Sequence, residues 1–275
     1  MTPKGDCPLP PTFTRRNALG VLGGALATSF VLRSAAAQQP WWQSIPEAAA
    51  LIGTAVPVSN GIVIDLPFVS EDGSSIDLGL AVDRPMTQEL FVESLHFFAP
   101  ANPSPPVVDY FFSPLSGRAA IATRVRLNQS QTVGAIAKMN NGEVIVAERE
   151  IRITISGCLA RASTYASTDV MMTRVRAAER FSAGAPGEIT TLINHPMETG
   201  LRTNAAGEIL PQNIVTRFLA AFDRATVFEA RFHRSVAANP YLRFFVAPPR
   251  SGELVLRWEE DTGRIADAHL PLQVG

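Results

Sequence analysis

Cys158, in Ile155-Ser156-Gly157-Cys158-Leu159, is the residue best suited to covalent chemistry in this chain. The sequence holds two cysteines, and the other, Cys7, lies in a segment with the features of a cleaved export signal. Cleavage leaves one thiol, which cannot close an internal disulfide. A single thiol in an oxidising compartment is a liability unless it is buried, used, or paired with a second chain. Its neighbours argue against burial, because Ser156-Gly157 precede it and small or polar residues follow it to Asp169. A thiol acts as a nucleophile only when ionised and reachable. Arg152 and Arg161 stand near it in sequence and would favour the thiolate. Two alternatives stay open, an inert buried thiol and an intermolecular disulfide giving a covalent dimer through Cys158.

Other reactive types are sparse. His96 stands beside Phe97 and Phe98, His195 precedes Pro196, and His233 and His269 stand alone. Pairing with Met86 or Met197 would suit a soft metal such as copper. No close His/Met spacing repeats, so packing or surface roles are expected of all four histidines. There is no Cys-x-x-Cys-His heme site and no Gly-x-Ser-x-Gly elbow. The expectation is no catalytic residue, no metal and no cofactor.

The compartment follows from residues 1–37. Arg15-Arg16 precede a mildly apolar stretch, Ala18 to Leu32, and Ser34-Ala35-Ala36-Ala37 supplies small residues for cleavage. Twin arginines before a weakly hydrophobic core point to the Tat route and a periplasmic product. The stretch is interrupted by Gly20, Gly23 and Gly24 and is shorter than the roughly twenty residues of a spanning helix, so no membrane span is expected in the mature form. Lys4, Arg15, Arg16 and Arg33 against Asp6 give the segment +3, so its removal takes the chain from −1 to −4. A mildly acidic chain without a basic stripe gives no reason to expect nucleic acid.

The elements that must position Cys158 read as strands. Ile76, Leu78, Leu80 and Val82 alternate with smaller or polar residues, as do Ile121, Thr123, Val125 and Leu127, and then Ile151, Ile153 and Ile155. Asn60-Gly61, Asp72-Gly73 and Asn141-Gly142 mark turns. About seven strand-like runs fit between 61 and 155, the density of a β-sandwich. Further runs lie near 171–176, 188–193, 227–232, 242–246, 253–258 and 266–274. Residues 214–222 also fit a helical face, but flanking strands favour a strand. Trp41-Trp42 is expected to pack on the first sandwich. Ser156 to Asp169 has linker composition, with a typical span of about 20 Å. The organisation expected is a signal peptide (1–37), a first sandwich (38–157), a cysteine-bearing linker (158–170) and a second sandwich (171–275). The halves share three marks in the same order. Pro85-Met86-Thr87 answers Pro196-Met197-Glu198-Thr199, Ala101-Asn102-Pro103 answers Ala238-Asn239-Pro240, and Ser116-Gly117 answers Ser251-Gly252.

Specific motifs then resemble a known pair of families. Val82-Asp83-Arg84-Pro85-Met86-Thr87, Ser94-Leu95-His96-Phe97-Phe98-Ala99, Thr123-Arg124-Val125-Arg126-Leu127 and Ile151-Arg152-Ile153-Thr154-Ile155 leading into Ser156-Gly157-Cys158 resemble SoxY. Asn194-His195-Pro196-Met197-Glu198-Thr199-Gly200-Leu201-Arg202 and Ala237-Ala238-Asn239-Pro240-Tyr241-Leu242 resemble SoxZ. The chain therefore resembles a SoxY–SoxZ fusion, as found among SoxYZ-like carriers associated with quinoprotein alcohol dehydrogenases. That resemblance implies an all-β fold of two immunoglobulin-like sandwiches in tandem. It implies a carrier rather than an enzyme, with thiosulfate-derived sulfur held on Cys158 and catalysis left to periplasmic partners. Those partners would be a c-type cytochrome and a thiosulfohydrolase, or alternatively a quinoprotein dehydrogenase system with a different cargo or none. Cys158 matches the carrier cysteine of a terminal Gly-Gly-Cys-Gly-Gly arm, and Gly157 matches the glycine before it. Ser156, Leu159 and Ala160 replace the other three glycines, and 117 residues follow the cysteine. Glycines let a backbone thread a narrow channel, and side chains at Leu159 and Arg161 thicken this arm.

Overall fold

Alternating apolar residues become strands with one face inward. In a computed structural model, residues 39–155, 169–204 and 206–275 are described. The first half contributes β1 (Ile62–Asp65), β2 (Val69–Asp72), β3 (Ile76–Val82), β4 (Val92–Phe98), β5 (Pro106–Phe112), β6 (Ala120–Val125), β7 (Gln131–Met139) and β8 (Val144–Ile155). The second contributes β9 (Thr173–Ala177), β10 (Gly187–Ile193), β11 (Val215–Phe222), β12 (Ala225–Phe232), β13 (Tyr241–Val246), β14 (Gly252–Glu260) and β15 (Ile265–Leu272). The fold is nearly all β, with the sheets in a sandwich-like arrangement, as expected. Ile76, Leu78, Leu80 and Val82 are all buried, and so are Ile121, Thr123, Val125 and Leu127. The ambiguous run at 214–222 is strand β11. The first half has eight strands rather than about seven because β2, too short to show alternation, pairs in parallel with β8.

The two halves are sewn together through both layers. One sheet runs β15-β14-β11-β12-β5-β4-β7-β8-β2 and the other β1-β3-β6-β13-β10-β9. The junctions are β5 with β12 and β6 with β13, both antiparallel. Reading outward from each junction, β5, β4, β7 and β8 mirror β12, β11, β14 and β15. In the other layer β6 and β3 mirror β13 and β10. Antiparallel junctions with mirrored strand order are what a two-fold axis through the junctions produces. One cluster of buried side chains extends across it, with Tyr110, Phe112, Phe218, Phe228, Phe244 and Trp258 in ring contact.

The shared sequence marks fit this symmetry in one case of three. Met86 lies between β3 and β4, and Met197 lies between the equivalent β10 and β11. Each thioether accepts the backbone N–H that opens the next strand, Val92 at 3.4 Å and Val215 at 3.2 Å. Asn102 follows β4 whereas Asn239 follows β12, and Ser116 follows β5 whereas Ser251 follows β13, so those two pairs are not equivalent.

The α-helix α1 (Pro46–Ile52) and a short 3-10 helix, Trp41–Ser44, lie on the nine-stranded sheet. Ile45, Ala48 and Ile52 pack on Phe98, Ile136, Val144 and Val146. Trp41 lies against Gly134 of β7, where a Cβ would stand 2.2 Å from its ring, so only glycine leaves room. The expected packing of Trp41-Trp42 on the first sandwich is thereby met. Among the described residues no helix is long and apolar enough to cross a membrane.

Candidate functional site

Strand β8 is the element that leads into Cys158 in the sequence. Ser156, Gly157, Cys158 and Leu159 lie outside the described residues, as do residues 1–38. The root of the arm is described. Val69, Ser70 and Asp72 of β2 pair with Arg152, Ile153 and Ile155 of β8. Thr154 Oγ1 donates to the carbonyls of Ser70 and Glu71, and Ser130 Oγ accepts the N–H of Ile153 at 2.9 Å. The Arg152 guanidinium stacks 5.1 Å from the ring centre of Phe68. These bonds hold β8 to its last residue, three positions before Cys158 in the sequence. Arg152, read from sequence as a neighbour favouring the thiolate, is thus occupied with an exposed phenylalanine.

The family-like motifs converge elsewhere, on the seam between the halves. Arg126 is buried, and its guanidinium donates to the carbonyls of Met197 at 2.7 Å and Pro196 at 3.3 Å. Thr123 Oγ1 donates to Tyr241 O, and the N–H groups of Arg126 and Ala237 donate to Ser235 O and Arg124 O. His195 is buried and receives two clamps: its N–H donates to Asn239 Oδ1, and its Nδ1 accepts the N–H of Met197. With Nδ1 accepting, Nε2 carries the proton and donates to the Glu260 carboxylate at 2.9 Å. Burial lowers the pKa of His195 despite that carboxylate. Asn239 makes its contacts from a left-handed φ of 55°, which asparagine tolerates better than most residues. The motifs around Arg126, Met197 and Tyr241 therefore join the halves, and His195 and Asn239 brace the second half behind them.

A second polar cluster opens into a cleft of about 520 Å³ on the outer face of the nine-stranded sheet. Asp109 of β5 stands opposite His96 of β4 in register, and its Oδ1 lies 2.7 Å from His96 Nδ1. His96 Nε2 lies 2.9 Å from Ser94 Oγ. The other carboxylate oxygen of Asp109 lies 2.9 Å from His233 Nε2, a residue just past β12 in the second half. Burial raises the Asp109 pKa, but hydrogen bonds from His233 and His96 outweigh it and leave the carboxyl below its ordinary range. The sequence expectation that His233 stands alone is corrected here, since its partner is 124 residues away. His96 has a polar role as well as a packing one. His269 pairs with Glu253 on the surface. Ser94 and Asp109 were not anticipated as chemical residues. The one local signal was the i, i+2 spacing of Ser94 and His96, which puts both on the same face of a strand. No group of three or more metal-ligating side chains is placed to hold an ion among the described residues.

A β-sandwich doubled about an internal two-fold, with an anchored strand that ends three positions before Cys158 in the sequence, defines a two-part scaffold. The chain carries a SoxY domain and a SoxZ domain in a single polypeptide. The match to "Sulfur oxidation protein SoxY" covers residues 48–158, and the match to "Sulphur oxidation protein SoxZ" covers 175–271. The first match ends on Cys158. The chain is similar in structure to the sulfur carrier protein SoxY from Chlorobium limicola f thiosulfatophilum, with 25% identity over 40% of this chain and 94% of that one and a TM-score of 0.34. It is also similar to a superoxide reductase (neelaredoxin) from Ignicoccus hospitalis, with 19% identity over 34% and 81% of the two chains and a TM-score of 0.31. No curated protein matches it.

Proposed function

We propose that the protein is a periplasmic covalent carrier of sulfur, with Cys158 as the attachment point and catalysis supplied by partner enzymes. The observation that carries this reading is the pair of domain matches in one chain, the first of which ends on the cysteine. In loading, the thiolate and thiosulfate join through a new S–S bond. Two electrons leave to a partner acceptor, in which a c-type cytochrome serves. In unloading, water attacks the terminal sulfonate, sulfate departs, and a persulfide stays on Cys158 without further change in electron count. A persulfide is a reversible sulfur state that a later partner can oxidise or take. Export as one folded unit through the Tat route suits a carrier whose two parts share a core.

A second reading is favoured by the arm itself. Ser156, Leu159 and Ala160 replace glycines, and the arm is internal, so it must enter any partner as a loop through a wider mouth. A carrier or adaptor serving a quinoprotein dehydrogenase, with another cargo or none, fits that departure.

Intact-mass spectrometry of protein purified from its native periplasm, with and without reductant and beside Cys158→Ser, tests both. A reducible mass increase equal to sulfur atoms or a thiosulfonate, absent from the variant, supports the sulfur carrier. A different reducible adduct supports the second reading. A thiol still unmodified after incubation with thiosulfate and periplasmic extract overturns the carrier.

A further inference from the structure

The geometry points to a second reactive centre: Ser94, His96 and Asp109 form a nucleophile–base–carboxylate relay in the outer-face cleft, able to cleave small acyl esters. The relay is independent of Cys158.

The Asp109 carboxylate is an acceptor, so His96 donates to it from Nδ1, and a ring with its one proton there leaves Nε2 as an acceptor. Ser94 Oγ, 2.9 Å from that nitrogen, is the donor it faces. This is the tautomer a general base requires, and both distances lie within hydrogen-bond reach. His233 holds the far oxygen of Asp109, so the carboxylate cannot swing away. Asp109 and His233 are positioning residues; Ser94 and His96 would touch substrate.

The cleft has the surroundings such a relay needs. The β4 register against β7 shifts between Val92 and Ser94, a bulge of the kind that re-aims side chains at functional sites. Ser94 lines the cleft together with Phe98, Phe111 and Leu51, an apolar wall for an acyl chain. Lys138 stands opposite Ser94 in the register and lines the same cleft. Its ammonium is the cation for an oxyanion, in place of the backbone N–H pair that a paired strand cannot offer.

The reaction balances without an oxidant. His96 Nε2 takes the Ser94 proton as the Oγ–carbon bond forms and the carbonyl electron pair moves to oxygen. Collapse expels the alcohol, protonated by His96, and water repeats the sequence to release the acid.

The test uses the full chain bearing Cys158→Ala, so that the thiol cannot be the reacting nucleophile. A fluorophosphonate probe should add once per chain, with fluoride leaving, and the adduct should map to Ser94. Ser94→Ala should abolish it, and His96→Gln should slow it by about 100-fold, the lower range for a general base. Lys138→Met, at a half-buried position where the new side chain keeps the apolar stem, should lower p-nitrophenyl acetate turnover about tenfold while leaving the thermal midpoint unchanged. This keeps the proposal falsifiable if His96→Gln misfolds. An unlabelled Ser94, or labelling at the same rate in His96→Gln, overturns it and leaves the carrier reading untouched.

Discussion

Arg126 of the SoxY half donates to the main-chain carbonyl of Met197 in the SoxZ half at 2.7 Å, with both residues buried. Met197 sits at a φ of 51°, uncommon for its type, and its thioether accepts the N–H of Val215. One guanidinium thus pins a residue of strained backbone whose side chain holds the first N–H of β11. Arg126→Met would keep much of the apolar stem while leaving the carbonyls of Pro196 and Met197 without that donor. Each buried group left unsatisfied costs about 1–3 kcal/mol, so for the two carbonyls a loss of roughly 2–6 kcal/mol is expected by urea unfolding. An unchanged midpoint would show that the seam does not depend on this contact.

Asp109 gives the seam a pH dependence of known sign. Its carboxyl titrates below the ordinary range in the folded chain, so between the folded and unfolded values the unfolded state binds more protons. Stability from this group is full above about pH 4–5 and declines as pH falls through the unfolded value near 3.9 towards the lower folded one. Asp109→Asn should therefore be less stable than the parent at pH 7, with the gap narrowing at pH 3. Urea midpoints at pH 7, 5 and 3 check this, and a gap that widens on acidification contradicts it.

Gly134 leaves its space to Trp41. A side chain there would meet the indole at 2.2 Å, so Gly134→Val must lift Trp41 off the sheet. The indole is half-buried beside Phe98, at 5.8 Å between ring centres. Expected are a red shift in tryptophan emission and easier proteolysis around residues 39–55, with the two-layer core retained. The cost is about 1–3 kcal/mol from lost apolar burial. A silent emission spectrum would show that the ring does not rest there.

How much of this could be read from sequence divides along the range of the interactions. Ile76 to Val82 and Ile121 to Leu127 alternate at period two, a local signal, and their inward faces are buried as read. β2 was missed because four residues beside Pro67 show no alternation. Which strands form the seam was not legible, because β5 and β12 read as ordinary strands, and nothing in Phe112 or Phe228 announces that they pair across the halves. The partners of His96 and His233 were invisible for the same reason, since Asp109 joins them only once the register of both junction strands is fixed. The reading of Cys158 rests on composition and resemblance, and the residue itself lies outside the described residues.

The seam also predicts what happens when the chain is cut. The halves share two antiparallel junctions and one aromatic cluster in which Phe228 touches Tyr110, Phe112, Phe218 and Phe244. Separation would bare the edges of β5 and β12 and the rings between them, which is costly in water and promotes aggregation. A protease site placed within 156–168 and cleaved should give two fragments on a denaturing gel but one species, at the parent volume, in native size exclusion. Phe228→Ala in the cut protein should loosen that association, since deleting a fully buried phenylalanine costs about 3–5 kcal/mol. Two separate, monodisperse halves after cleavage of the parent would mean that the connection, not the shared sheets, holds the molecule together.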